Sequence, residues 1–162
     1  MSTEKRVYRV LDDLNIHYKR FEHPPVFTVE EASKLANQAP GQDCKNLFIR
    51  NRKGNTHYLL IARAEEKVNL KDVAKQIGST SLSLASKERL MKHLSLEPGS
   101  VSPFGLVNNN EKNIVVLVDS GLKECDLVTF HPNINTVTLS LSFRDLERFF
   151  QWYGNEINYV KL

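Results

Sequence analysis

Three short stretches of the 162-residue chain hold residues whose types and spacing suit chemistry. In Asp43-Cys44-Lys45-Asn46-Leu47-Phe48-Ile49-Arg50, a lysine and an asparagine stand at the mouth of an apolar run that reads as a buried strand. A strand end gives such side chains a fixed direction, which a binding or catalytic group needs. The small or apolar neighbours of Lys45 let its stem lie against the core, where its ammonium would grip a phosphate or carboxylate as a point charge. Asn46 points to the opposite face of the strand and reaches the same pocket only if the strand bends. Gly99-Ser100-Val101-Ser102-Pro103 reads as a rigid turn in which Gly99 permits close approach of backbone to a ligand. Its amides would polarise an ester carbonyl as an oxyanion site does, with Pro103 holding the geometry. In Phe130-His131-Pro132 a histidine is locked between an apolar run and a proline. Each stretch also has an ordinary reading: a solvated lysine, a surface turn, a histidine that fixes a bend.

Other chemistries lack their residues. There is no Gly-x-Gly-x-x-Gly or Walker-type phosphate loop. The five histidines are scattered singly and no Cys-x-x-Cys or His-Glu-x-x-His spacing occurs, so neither a metal nor a cofactor is expected. Ser102 is not a nucleophile-elbow serine, because Pro103 follows it. A net charge of +3 is too small for binding duplex DNA by charge alone, though it allows a local contact with RNA. Arg50, Arg52 and Lys53 read as a solvated hairpin tip. Cys44 and Cys125, in a chain with no signal peptide, indicate a reducing cytoplasm and small buried side chains. No apolar run reaches membrane-spanning length.

The elements that must position these residues follow from periodicity. Val7, Val10, Leu11 and Leu14 mark a first helix capped at Thr3. His23-Pro24-Pro25 forces an extended path, and a capping box of Thr28 and Glu31 starts a second helix ended by Pro40-Gly41. Cys44 to Asn51 and Thr56 to Ala62 form a hairpin around Arg52-Lys53-Gly54-Asn55. Asn69 caps one helix and another runs from Ser86, with a short strand at most over Leu82 to Ala85. Phe104 to Val107 and Asn113 to Asp119 are expected as a second hairpin turned by Asn108-Asn109-Asn110. Leu127 to His131 and Thr136 to Leu141 are strands, and Ser142 caps a last helix. The expectation is one α+β domain spanning residues 1–162, with a mixed, mostly antiparallel sheet flanked by helices.

Lys45-Asn46-Leu47-Phe48, Gly99-x-x-x-Pro103 and His23-Pro24-Pro25-Val26-Phe27-Thr28-Val29-Glu30-Glu31-Ala32, in their order along nearly the whole chain, resemble the YbaK-type prolyl-tRNA editing family. Within it, the free-standing alanyl-tRNA(Pro) deacylases of the ProX or PrdX type are the nearest match. The resemblance implies a partly barrel-like sheet and hydrolysis of mischarged Ala-tRNA(Pro) in the cytoplasm, with the tRNA(Pro) acceptor end as partner and prolyl-tRNA synthetase as a further one. It implies that Lys45 anchors the terminal nucleotide's phosphate. It also implies that Gly99 to Pro103, including Ser100, Val101 and Ser102, hold the ester and the attacking water. Phe27, Thr28, Asn46 and His131 would shape a small pocket. Such an activity answers a physical need, since a pocket built for proline discriminates against a smaller side chain by only ~1–3 kcal/mol per methylene. The alternatives are a Cys-tRNA(Pro) deacylase of the YbaK type and a non-catalytic module that binds a tRNA end or a partner.

Overall fold

Helices begin in this chain where a short polar side chain can accept from the first free backbone amides. The computed structural model describes residues 2–25 and 39–162; the helix expected from Thr28, and Phe27 and Thr28 themselves, lie outside them. Helix α1 (Thr3–Asp13) is capped by Ser2, whose Oγ accepts from Lys5 N. The cap expected at Thr3 thus falls one residue early, because Thr3 Oγ1 is taken by the side-chain amides of Asn108 and Asn133. Asn69 caps α2 (Leu70–Ile77), which Gly78 ends in the left-handed region at φ 67°. Ser86 caps α3 (Lys87–Leu94), and Ser142 caps α4 (Phe143–Tyr153) by accepting from Asp145 N.

The strands are β1 (Tyr18–Glu22), β2 (Gln42–Arg50), β3 (His57–Arg63), β4 (Ser83–Leu84), β5 (Ile114–Asp119), β6 (Leu127–Phe130), β7 (Val137–Ser142) and β8 (Ile157–Val160). They pair in the order β1-β7-β6-β2-β3-β5-β8, with β4 on β2. Four pairings are antiparallel (β1·β7, β2·β3, β2·β4, β6·β7) and three are parallel (β2·β6, β3·β5, β5·β8). The sheet is mixed and open, with β1 and β8 as its ends rather than closed into a barrel. The expected hairpin of β2 and β3 forms with Arg50 opposite His57, and β6 pairs with β7 as read from sequence.

The second expected hairpin does not form. Phe104 to Val107 belongs to a 3₁₀ helix (Pro103–Asn108). Proline at its first position presets φ, and Ser102 Oγ caps Phe104 N at 3.0 Å. β5 instead lies between β3 and β8, parallel to both. Its sequence Ile-Val-Val-Leu-Val is apolar throughout because both faces of a central parallel strand are covered. Strand β8 had no counterpart in the sequence reading.

Two apolar clusters cover the two faces. Val7 and Leu11 of α1, Leu146, Phe149 and Phe150 of α4, and Phe104 pack with Phe48, Leu59, Ile61, Val116 and Leu139. On the other face, Val73 and Ala74 of α2 pack with Ile49, Leu60, Leu117 and Val160. Burying each such Leu, Val or Phe stabilises by roughly 1.5–3 kcal/mol, so β2, β3 and β5 form the rigid centre on which site residues are mounted.

Candidate active site on strand β2

Strand β2 changes partners along its length, and this decides what its first residues can do. Gln42 and Asp43 pair with β6, whereas Cys44 to Arg50 pair with β3. Asp43 Oδ1 accepts from Thr129 Oγ1 at 2.8 Å, so these two side chains share a face. By the two-residue repeat of a strand, Lys45 and His131 continue that face from either side. It also carries Ser140 and Thr138 of β7, with Ser140 Oγ donating to the Pro40 carbonyl.

Lys45 Nζ donates to the backbone carbonyl of Glu66. That carbonyl lies in a turn fixed three ways. Glu66 N donates to Arg63 O at 3.0 Å and Ala64 N to Asp43 O at 2.8 Å, while Arg63 Nη2 pairs with Glu66 Oε1 at 2.9 Å. Arg63 is held in turn by Asp119, the fully buried residue ending β5, through Nε at 2.8 Å and through its own backbone N–H at 3.1 Å. Gly121 N donates to the other carboxylate oxygen at 2.9 Å. Burial alone would raise the Asp119 pKa, but the bonds from Arg63 and Gly121 outweigh it and hold the carboxyl below its usual range. Glycine at 121 leaves room for the guanidinium: a Cβ there would stand 2.2 Å from Arg63 Cζ.

His131 Nδ1 lies 2.7 Å from the Val137 carbonyl, which can only accept, so Nδ1 carries the proton and Nε2 is left as an acceptor. Burial lowers the His131 pKa, with His23 adding to the effect, and the bond to Val137 and the Asp43 carboxylate oppose it. The His23 ring meets it edge-on at 5.7 Å. His23 is oriented by Thr138 Oγ1 and the Pro24 carbonyl, each at 2.8 Å. The face therefore offers one cation and one neutral imidazole with a free lone pair.

Asn46 belongs to the opposite face, with Cys44 and Phe48. Its Nδ2 donates to the Val101 carbonyl at 3.3 Å, which ties β2 to the Gly99–Pro103 loop. Its Oδ1 is buried without a partner among the described residues. In the loop, Ser100 N is engaged by the Glu97 carbonyl at 2.9 Å, and Ser102 and Pro103 are buried. Only Gly99, Ser100 and Val101 retain exposure. By strand alternation Lys45 and His131 face the same way, and Asn46 is tied to Val101 on the other side of the strand. The Cys44 thiol pKa is pushed up, first by burial and then by nearby carboxylates, which makes it inert.

Sequence reasoning missed Arg63, Asp119 and Gly121 as supports of Lys45, and it quoted His23 without placing it at the site. An acid ending the wholly apolar run of β5 was the available signal, since such a carboxylate must find a partner when buried.

The aminoacyl-tRNA editing domain matches residues 23–149, and the chain belongs to that family. It is 41% identical over 162 residues to the "Prolyl-tRNA editing protein ProX" of Acetoanaerobium sticklandii, covering 100% of this chain and 99% of the relative. It is 31% identical over 147 residues to the bovine "Prolyl-tRNA synthetase associated domain-containing protein 1", covering 88% of this chain and 85% of that one. A crystal structure described as a candidate trans-editing enzyme for prolyl-tRNA synthetase has the same fold, with TM-score 0.75 and 20% identity over 100% of this chain and 98% of the other.

Proposed function

We infer that this protein is a trans-editing hydrolase that removes alanine from mischarged tRNA(Pro), the whole chain acting as one editing domain. The full-length identity of 41% to a protein named for prolyl-tRNA editing carries this reading. In the reaction, water adds to the ester carbonyl and the bond to the terminal ribose breaks, releasing alanine and free tRNA. Lys45, oriented by the Glu66 carbonyl, anchors the phosphate of the terminal nucleotide as a fixed positive charge. His131 walls the pocket on the same face, while the attacking water is held with the ester. Gly99 to Pro103, with Ser100, Val101 and Ser102, position the ester from the other side of β2. The bare Asn46 Oδ1 supplies an acceptor for a donor on the aminoacyl group, because an unpaired buried acceptor gains most from a new partner. The family resemblance assigns Phe27 and Thr28, which lie outside the described residues, to the same pocket. An activated ester needs little beyond positioning and stabilisation of the developing oxyanion.

The name of the bovine relative supports prolyl-tRNA synthetase as a partner. An editing role in translation supports a cytoplasmic location. The deciding experiment follows release of radiolabelled amino acid from Ala-, Cys- and Pro-tRNA(Pro) with wild type and Lys45→Ala. Loss of alanine only, reduced at least a hundredfold by the substitution, is expected. Preferential loss of cysteine would assign the other editing specificity, and no turnover of any ester would leave a binding module.

A further inference from the structure

Far from Lys45, a groove of about 510 Å³ opens between α1, the turn at residues 109–112 and the end of α4. Arg6, Arg9 and Lys112 stand around it, Leu106 lies at its floor, Trp152 forms a wall, and among the described residues no acidic side chain lines it. Arg6 and Arg9 sit three apart on α1 and so project on the same side. All three cations are exposed, and among the described residues none is in an ion pair. Arg6 only donates to the neutral Asn108 Oδ1, at 3.3 Å.

Lys112 is held in place at a cost. Its φ of 51° lies in the left-handed region, where glycine or asparagine would be less strained. Asn155 Nδ2 fixes that conformation by donating to the Lys112 carbonyl at 2.9 Å. The ammonium then lies 5.5 Å from the centre of the Trp152 ring. A long cationic side chain strained into a concave, acid-free wall is more than a solvated charge run, since low-dielectric walls concentrate the field of clustered charges.

We propose that this groove is a second RNA contact, which takes the phosphate backbone of the bound tRNA on Arg6, Arg9 and Lys112 beside Trp152. The proposal rests on the deacylase reading for the identity of the RNA. The groove adjoins the start of β5 at Ile114, whereas Lys45 lies opposite Ala62 near the far end of β3. Four or five strand residues, roughly 15 Å, separate the two levels along the strands, and α1 and α4 place the groove on the Phe48 face, across the sheet from Lys45. The groove takes Leu106 and Val107 from the 3₁₀ helix (Pro103–Asn108) that continues the Gly99–Pro103 loop, so it lies on the side from which that loop is proposed to hold the ester. The ester end would lie at the Gly99–Pro103 loop while the paired stem meets the groove.

Trp152 is the only tryptophan of the chain, which makes its fluorescence a local probe. Uncharged tRNA(Pro) transcript is titrated against wild type and against the double variant Arg9→Glu, Lys112→Glu, both positions being exposed. The expected result is a fluorescence change on binding, with Kd raised at least tenfold in the variant. The salt slope of log Kd should be reduced by about 1–2, as lost phosphate contacts require. In parallel, kcat/KM on Ala-tRNA(Pro) falls at least tenfold through KM, while hydrolysis of an alanyl ester of adenosine, which has no stem, is unchanged. Equal binding of transcript by wild type and variant overturns the proposal. So does displacement of the transcript by polyglutamate at equal charge concentration, which would mark a site for an acidic protein segment. If wild type hydrolyses no ester yet the double variant still loses transcript binding, the deacylase reading fails and the groove stands.

Discussion

Strands β3 and β5 run side by side in the same direction, and their two ends bury polar groups in opposite ways. At one end Asp119 and Arg63 form a charged pair in which both carboxylate oxygens accept N–H donors. At the other end the buried polar group is neutral. The His57 ring stacks on Phe48 at 5.3 Å and lies 4.2 Å from His93. Arg89 Nη1 stands 3.1 Å from its Nε2, and a guanidinium can only donate, so that nitrogen is unprotonated. Burial first, then the charges of His93 and Arg89, push the His57 pKa down to about 4. The charged end supports Lys45, where a substrate phosphate is proposed to bind. The neutral end keeps charge out of the core, while the cations of the groove beside Ile114 stay exposed. The fold keeps fixed charge beside the proposed chemistry and excludes it where it would only cost desolvation.

The strongest way to break this contrast is Asp119→Ala. It strips the carboxylate from Arg63 and loosens the turn that holds Lys45, so urea unfolding should show a loss of about 3 kcal/mol together with at least a tenfold drop in deacylation. A variant as stable and active as wild type would mean that the network is ornamental.

The next effect separates the two ends by pH. His57 has a folded pKa below its unfolded value, so its contribution is full above about 6.5 and is lost as pH falls towards about 4. Between pH 7 and pH 5 this amounts to about 2 kcal/mol, and His57→Phe should flatten that slope in chemical denaturation. Asp119 is also depressed, but its contribution persists until pH drops below the ordinary carboxylate range. A slope unchanged in His57→Phe would place its origin elsewhere.

Gly121→Ala should cost about 1–3 kcal/mol by pushing the Arg63 guanidinium aside, measured as a lowered Tm, with deacylation reduced alongside. The smallest effect is expected from Ser86→Ala. It removes the cap that accepts from Arg89 N at 3.2 Å, costs about 1 kcal/mol, and leaves deacylation unchanged because it touches only the neutral end.

What could be read from sequence was local. Asn69, Ser86 and Ser142 mark helix starts because one side chain meets an amide two or three residues on, and Arg52-Lys53-Gly54-Asn55 marks a hairpin because its residues suit only a turn. Phe104 to Val107 misled because an apolar run fits a strand or a buried 3₁₀ turn equally, and the neighbours that decide, such as Leu94 and Leu96 against Gly105, are elsewhere in the chain. At the candidate site, Lys45 and His131 were named as candidates through the family resemblance. Their supports were not, since Arg63 and Asp119 are separated by 56 residues and no spacing rule links them.

The pairing of β1 with β7 has a consequence for synthesis. Tyr18 aligns with Leu141, so the first strand emerges from the ribosome roughly 120 residues before its partner. At about 5–20 residues per second, its hydrogen-bonding groups stay without their partner for on the order of ten seconds. Nascent chains interrupted in that interval expose an unpaired edge and present a ready substrate for chaperones and proteases.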